Sequence, residues 1–178
     1  MTETSEPAMT ISDLHDDLRP RAFAIAYRML GSVSDAEDVV QDAFLKMHQA
    51  LQRGEEIRSP QAYISTLVTR RAIDQLRSAR ARREQYVGEW LPEPVAIDSP
   101  PDEQVATADS LSLAFLVVLE SLTPAQRAAF LLHEVFDYPY DEVAGIIGTS
   151  VDSARHLVSR ARAHVRERRP RYETSRSQ

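Results

Sequence analysis

The sequence contains no cysteine, so disulfides and thiolate metal sites are excluded. No apolar run reaches the roughly 20 residues that a membrane-spanning helix needs. Met1–Met9 is polar and lacks the basic start of a signal peptide. No stretch alternates apolar and polar residues as a strand would. A Gly-rich phosphate loop, a nucleophile elbow and a supporting Ser/His/Asp spacing are all missing, so catalysis has nothing to rest on. Lysine is almost absent as well: Lys46 apart, every basic side chain is arginine. These absences lead to a soluble, cytoplasmic, non-enzymatic, all-α protein. Its 178 residues suffice for one medium domain or two small ones.

What is present is an uneven distribution of charge. The net charge is −6, which by itself argues against a polyanionic partner. The total hides two basic blocks, however. Thr69–Glu84 holds Arg70, Arg71, Arg77, Arg80, Arg82 and Arg83 against Asp74 and Glu84 alone. Arg155–Arg171 holds seven arginines against Glu167. Between them, Gln85–Asp109 carries six acidic residues and no basic one. Such asymmetry points to nucleic acid more strongly than the total argues against it.

The most informative segment is DEVAGIIGTSVDSARHLVSRAR, residues 141–162. Val143, Ala144, Ile146 and Ile147 form one apolar stripe. Gly148-Thr149-Ser150 breaks the helix, with Ser150 placed to cap the next one. Val151, Ala154, Leu157, Val158 and Ala161 then repeat at helical spacing. Off that stripe lie Ser153, Arg155, His156, Ser159, Arg160 and Arg162. Helix, three-residue turn and helix with a basic outer face describe a helix-turn-helix, whose second helix enters the DNA major groove. A solvated helix that merely happens to be basic is the plain alternative; turn, cap and charge agree against it.

Upstream, residues 1–12 read as a disordered arm. A helix is expected over Asp13–Leu30, ended by Gly31, and a second over Asp35–Leu51, capped by Ser34. Asp35, Glu37 and Asp38 suit the positive end of its dipole. The loop Arg53–Arg58 is polar and sized to hold an unstacked base, through Arg53, Glu55 and Arg58 among others. Ser59-Pro60 opens a long helix to Glu84. There Arg70, Asp74, Arg77 and Arg80 form a row that can follow a phosphate backbone. Four prolines and a glycine within Gln85–Pro101 mark a linker, in which Trp90 is expected to dock on a neighbouring domain. Helices over Glu103–Ser121 and Pro124–Phe136 then lead into the helix-turn-helix. Asp35, Asp38 and Asp42 share a helical face, yet His15, His48, His133, His156 and His164 show no pairing that would complete a metal site, and His133-Glu134 lacks the second histidine of a zincin. Neither a metal nor a cofactor is expected.

Three strings in register resemble the extracytoplasmic-function (ECF) group of the sigma-70 family, bacterial subunits that give RNA polymerase its promoter specificity. They are SDAEDVVQDAFLKMH (34–48), SPQAYISTLVTRRAIDQLRSARARR (59–83) and LESLTPAQRAAFLLHEVFDYPYDEVAGIIGTSVDSARHLVSRARAHV (119–165). The resemblance implies a region 2-like domain over 13–84, a linker over 85–102, a region 4-like domain over 103–169 and a tail over 170–178. It implies that Asp35, Asp38, Gln41 and Asp42 face the clamp helices of the polymerase's largest subunit. Arg53, Glu55, Arg58, Arg70, Asp74, Arg77 and Arg80 would meet the minus-ten element, and Ser150, Ser153, Arg155, His156, Ser159, Arg160 and Arg162 the minus-thirty-five element. Arg70 stands where many members have asparagine, and Tyr63 where tryptophan is common. The string YVGEWLPEP (86–94) resembles the linker of members that carry a C-terminal SnoaL-like domain. Too little sequence follows Arg168 for such a domain, which leaves a natural short form or a shortened chain. Implied partners are core polymerase, promoter DNA, and an anti-sigma factor or that absent domain. A stand-alone dimeric helix-turn-helix regulator is the alternative; it leaves the second basic helix and the acidic face at 34–42 unexplained.

Overall fold

A computed structural model describes residues 11–83 and 115–167. The expectations for most of the N-terminal arm, for the linker with Trp90, for the helix start near 103 and for the tail lie outside the described residues. Contacts divide the chain into two compact units, Met1–Val95 and Ala96–Gln178. All regular structure among the described residues is helical, as the missing alternation implies.

The first unit packs three helices, α1 (Ile11–Leu30), α2 (Val33–Gln52) and α3 (Pro60–Arg83), each against the other two. Leu18, Ala22, Ile25, Ala26 and Met29 of α1 recur at three- and four-residue steps and are buried. Val39, Val40, Ala43 and Met47 of α2 and Ile64, Val68, Ala72 and Ile73 of α3 close the core from the other sides. Gly31, at φ +70°, turns the chain out of α1, a conformation that costs glycine little.

The cap of α2 is Ser32, not Ser34. Ser32 is extended (φ −127°, ψ 127°), and its hydroxyl accepts the Asp35 N–H at 3.2 Å. The left-handed Gly31 completes the corner so quickly that helical hydrogen bonding resumes at once, with Ala36 N–H donating to the Ser32 carbonyl. Ser34 therefore sits inside the first turn. Asp35 still lies in that turn, where the dipole favours it. At the far end, Ser59 caps α3 by accepting the Ala62 N–H at 3.3 Å.

In the second unit, helical residues 115–120 bury Leu116 and Leu119. Thr123 and Gln126 then form a reciprocal capping box at the start of α4 (Pro124–Phe130). The expected continuous helix to Phe136 is α-helical only to Phe130. Leu131–Val135 is a π-helical turn, closed by Phe136 N–H donating to the Leu131 carbonyl. The wider turn admits one more residue and keeps the neighbours Leu131 and Leu132 both buried. After it come α5 (Tyr140–Ile147) and α6 (Val151–Glu167). Gly148, at φ +80°, ends α5. Ser150 accepts the Ser153 N–H at 3.1 Å and caps α6. Ala154, Val158, Ala161 and Val165 form the buried stripe of α6. Val151, expected on that stripe, is exposed at the first position of α6.

Candidate nucleic-acid interface

Because α6 spends its small and apolar residues on the core, its other face is free for polar chemistry. Ser150, Ser153, Arg155, His156, Ser159 and Arg160 are all exposed. Ser150 also donates its hydroxyl to that of Ser153 at 2.9 Å. Arg155 lies 3.7 Å from Asp152, and its guanidinium carbon sits over the Tyr140 ring, 5.6 Å from the centroid.

Arg162 is differently placed. It is half-buried, and its Nε donates to Glu134 at 2.9 Å while Nη2 donates to the same carboxylate. This hydrogen bonding raises the guanidinium pKa above its ordinary value, against a lowering by burial and with further support from the charge of Glu134 and from Tyr140. Two donors converging on one carboxylate oxygen tie α6 to the π-helical turn. Of the seven residues expected on this face, Arg162 alone has a carboxylate of another element as its partner among the contacts described.

In the first unit, the loop expected to hold a base is closed upon itself. Arg53 donates through Nε (2.9 Å) and Nη2 (2.8 Å) to Glu55. Gly54 has φ +77° and open space where a Cβ would stand. Arg58 is exposed. Arg70, Asp74, Arg77 and Arg80 lie along α3 with their side chains outward.

The acidic face of α2 divides in two. Asp38 and Gln41 are exposed, whereas Asp35 and Asp42 are half-buried. Asp42 accepts from Lys46 at 2.9 Å and lies 3.8 Å from Arg71 of α3. It is thus already an intramolecular partner. No three His, Asp or Glu side chains among the described residues converge as a metal site, and no described helix is long and apolar enough to cross a membrane.

Three residues escaped the sequence reading. Leu45 is 54% exposed and continues the face of Asp38, Gln41 and Asp42; its i+7 spacing from Asp38 was the available signal. Glu134 and Tyr140 hold arginines of α6 from 28 and 15 positions away, and no local pattern announces that.

A family model for Sigma-70 region 2 matches residues 14–82, and one for Sigma-70, region 4 matches residues 112–165. The ECF RNA polymerase sigma factor SigJ of Mycobacterium tuberculosis is 44% identical over 160 residues, which is 88% of this chain and 50% of that protein. The chain spans about half the length of the first curated relatives it matches. The crystal structure of the Mycobacterium tuberculosis SigJ superposes with a TM-score of 0.64 at 39% identity, over 88% of this chain and 53% of that one. The sigma factor RpoE of Bartonella quintana, solved with the anti-sigma factor NepR, gives a TM-score of 0.66 over 88% of this chain and 94% of that one. At 23% identity that second likeness speaks for the fold alone.

Proposed function

The chain belongs to the ECF group of the sigma-70 family, and from that premise we propose that it directs promoter-specific initiation by RNA polymerase. Residues 13–84 are the region 2-like domain and residues 103–169 the region 4-like domain. The exposed α2 face, Asp38 and Gln41 with Asp35 and Asp42 at its margin, docks on the clamp helices of core polymerase. Arg53, Glu55 and Arg58, with the Arg70, Asp74, Arg77 and Arg80 row, meet the minus-ten element. The α6 face meets the minus-thirty-five duplex.

The observation that carries this reading is the pairing of two outward basic helix faces, on α3 and α6, with region 2 and region 4 matches in that order. Either face alone would suit a simple DNA-binding module. Separating strands costs a few kcal/mol per unstacked base step. A base captured by the 53–58 loop offsets part of that cost, which requires the Arg53–Glu55 pair to open. Duplex anchoring by α6 is the cheaper task, because the helix is preformed and capped. Bond formation in transcription belongs to the polymerase, and no catalysis is assigned to this chain. Its place of action is that of the polymerase, the cytoplasm. Control by a protein that covers these faces, an anti-sigma factor or a SnoaL-like domain, completes the proposal.

The test is reconstitution. The chain mixed with bacterial core polymerase is expected to co-elute at equal stoichiometry and to support promoter-dependent run-off transcription. A folded chain that elutes apart from core polymerase as a dimer, and that binds a palindromic duplex by itself, would overturn the reading in favour of a stand-alone regulator.

A further inference from the structure

Beside the exposed face of α6 lies a cluster that a DNA-reading role does not by itself require. His133, in the π-helical turn, donates from Nδ1 to the Tyr138 carbonyl at 2.8 Å. That bond fixes the imidazole plane. The Tyr140 ring stacks on it, with centroids 4.0 Å apart and planes 22° from parallel. Over the Tyr140 ring lies the guanidinium of Arg155, 5.6 Å from the centroid. Tyr140 itself is half-buried at the start of α5. A carbonyl, an imidazole and a phenol ring thus lead in series to the exposed Arg155, while the phenol hydroxyl also supports Arg162.

We propose that Tyr140 is the positioning residue for Arg155, holding its guanidinium as a ready donor to one guanine in the DNA major groove. The proposal rests on the DNA-reading role of α6. Its chemistry follows from how an arginine is held. A cation over a ring is attracted through its face. The five N–H donors lie in the guanidinium plane and stay available at its edge. An ion pair would occupy those donors, as Glu134 does at Arg162. The ring therefore limits the rotamers of Arg155 without taking its hydrogen bonds. Two parallel donors match the O6 and N7 acceptors of guanine better than any other base edge. Asp152, 3.7 Å from Arg155 and fully at the surface, is the only other partner described for this guanidinium; solvent screens that pair, and DNA phosphates repel its carboxylate.

Tyr140 acts through Arg155, so the test must separate orientation from folding. Holoenzyme reconstituted with core polymerase selects from duplexes randomised over the upstream element, and enrichment is read base by base. Arg155→Ala is expected to flatten the preference at one G·C pair. Tyr140→Leu, which removes the ring, is expected to flatten the same pair and to weaken binding of the best duplex about two- to fivefold. In an Arg155→Ala background Tyr140→Leu should add nothing to the preference at that base pair, whatever it does through Arg162. Tyr140→Phe keeps the ring and should restore the preference, with the melting midpoint of each variant showing that it is folded. Equal weakening on all sequences by Tyr140→Leu, or an undiminished preference at the Arg155 position, would overturn the proposal. If the unaltered holoenzyme forms but enriches no upstream sequence, the DNA-reading role of α6 fails first, and this proposal fails with it.

Discussion

Leu45 offers the sharpest quantitative test of the proposed docking face. It is 54% exposed, the one exposed large apolar side chain of α2, in line with Asp38 and Gln41. Fully burying a leucine side chain is worth about 1.5–3 kcal/mol. Roughly half of that remains available to a partner, or about 0.8–1.6 kcal/mol. With tenfold in affinity per about 1.4 kcal/mol, Leu45→Ala should weaken binding to core polymerase about four- to fifteenfold. The helix should survive, because alanine is at least as good a helix former as leucine. The assay is a competition titration, with the unaltered chain carrying a fluorophore and the variant displacing it from core polymerase. Circular dichroism melts of both chains guard against an unfolding artefact. Asp38→Lys serves as the electrostatic counterpart, and its effect should shrink as salt is raised. If Leu45→Ala binds within twofold of the parent while Asp38→Lys is weakened, the contact is polar and the area argument is wrong. If neither is weakened, α2 does not dock through this face.

Three further outcomes follow from the packing. Ser32→Ala should cost about 1 kcal/mol of stability through loss of the α2 cap, whereas Ser34→Ala should stay within about 0.5 kcal/mol; equal losses in chemical denaturation would contradict the cap assignment. Thr69 is fully buried, and its hydroxyl has no hydrogen-bond partner among the described residues, so Thr69→Val should raise the unfolding free energy by about 1 kcal/mol, and a loss of stability would reveal an unseen partner. Glu134→Gln removes the carboxylate that occupies Arg162, so the freed guanidinium should steepen the salt dependence of duplex binding by about one phosphate contact, a slope change near −0.9; an unaltered slope would mean that Arg162 does not reach DNA.

Much of this architecture could be read from side-chain spacing, because each helix buries one stripe at three- and four-residue steps. The α5–α6 corner was fully legible: Gly148 supplies the left-handed residue and Ser150 the cap, and both signals are local. The start of α2 was not, since Ser32 and Ser34 are equally good acceptors and only the backbone angles at Ser32 choose between them. The π-helical turn was hidden for a related reason. It shifts a hydrogen bond from Val135 to Phe136, and apolar periodicity is blind to that within a run as apolar as AAFLL. The candidate site divides in the same way. Exposure of the α6 face follows from its own sequence. The occupied state of Arg162 depends on Glu134, 28 residues away, and that of Asp42 depends on Arg71 across the α2–α3 packing as well as on Lys46 one turn along.

The Lys46–Asp42 pair has a practical corollary in amine chemistry. Lys46 is the sole lysine of the sequence, and its ammonium is exposed on the side of α2 that carries Asp38, Gln41 and Leu45. Neither arginine-rich face presents an ε-amine, so acylation of lysine, whether enzymatic or by a reagent, leaves their charge untouched. It strikes one side chain, beside the proposed docking surface. An amine-directed footprint at Lys46 accordingly reports occupancy of that proposed surface alone, without any engineered label, and leaves both arginine rows proposed to meet DNA as they were.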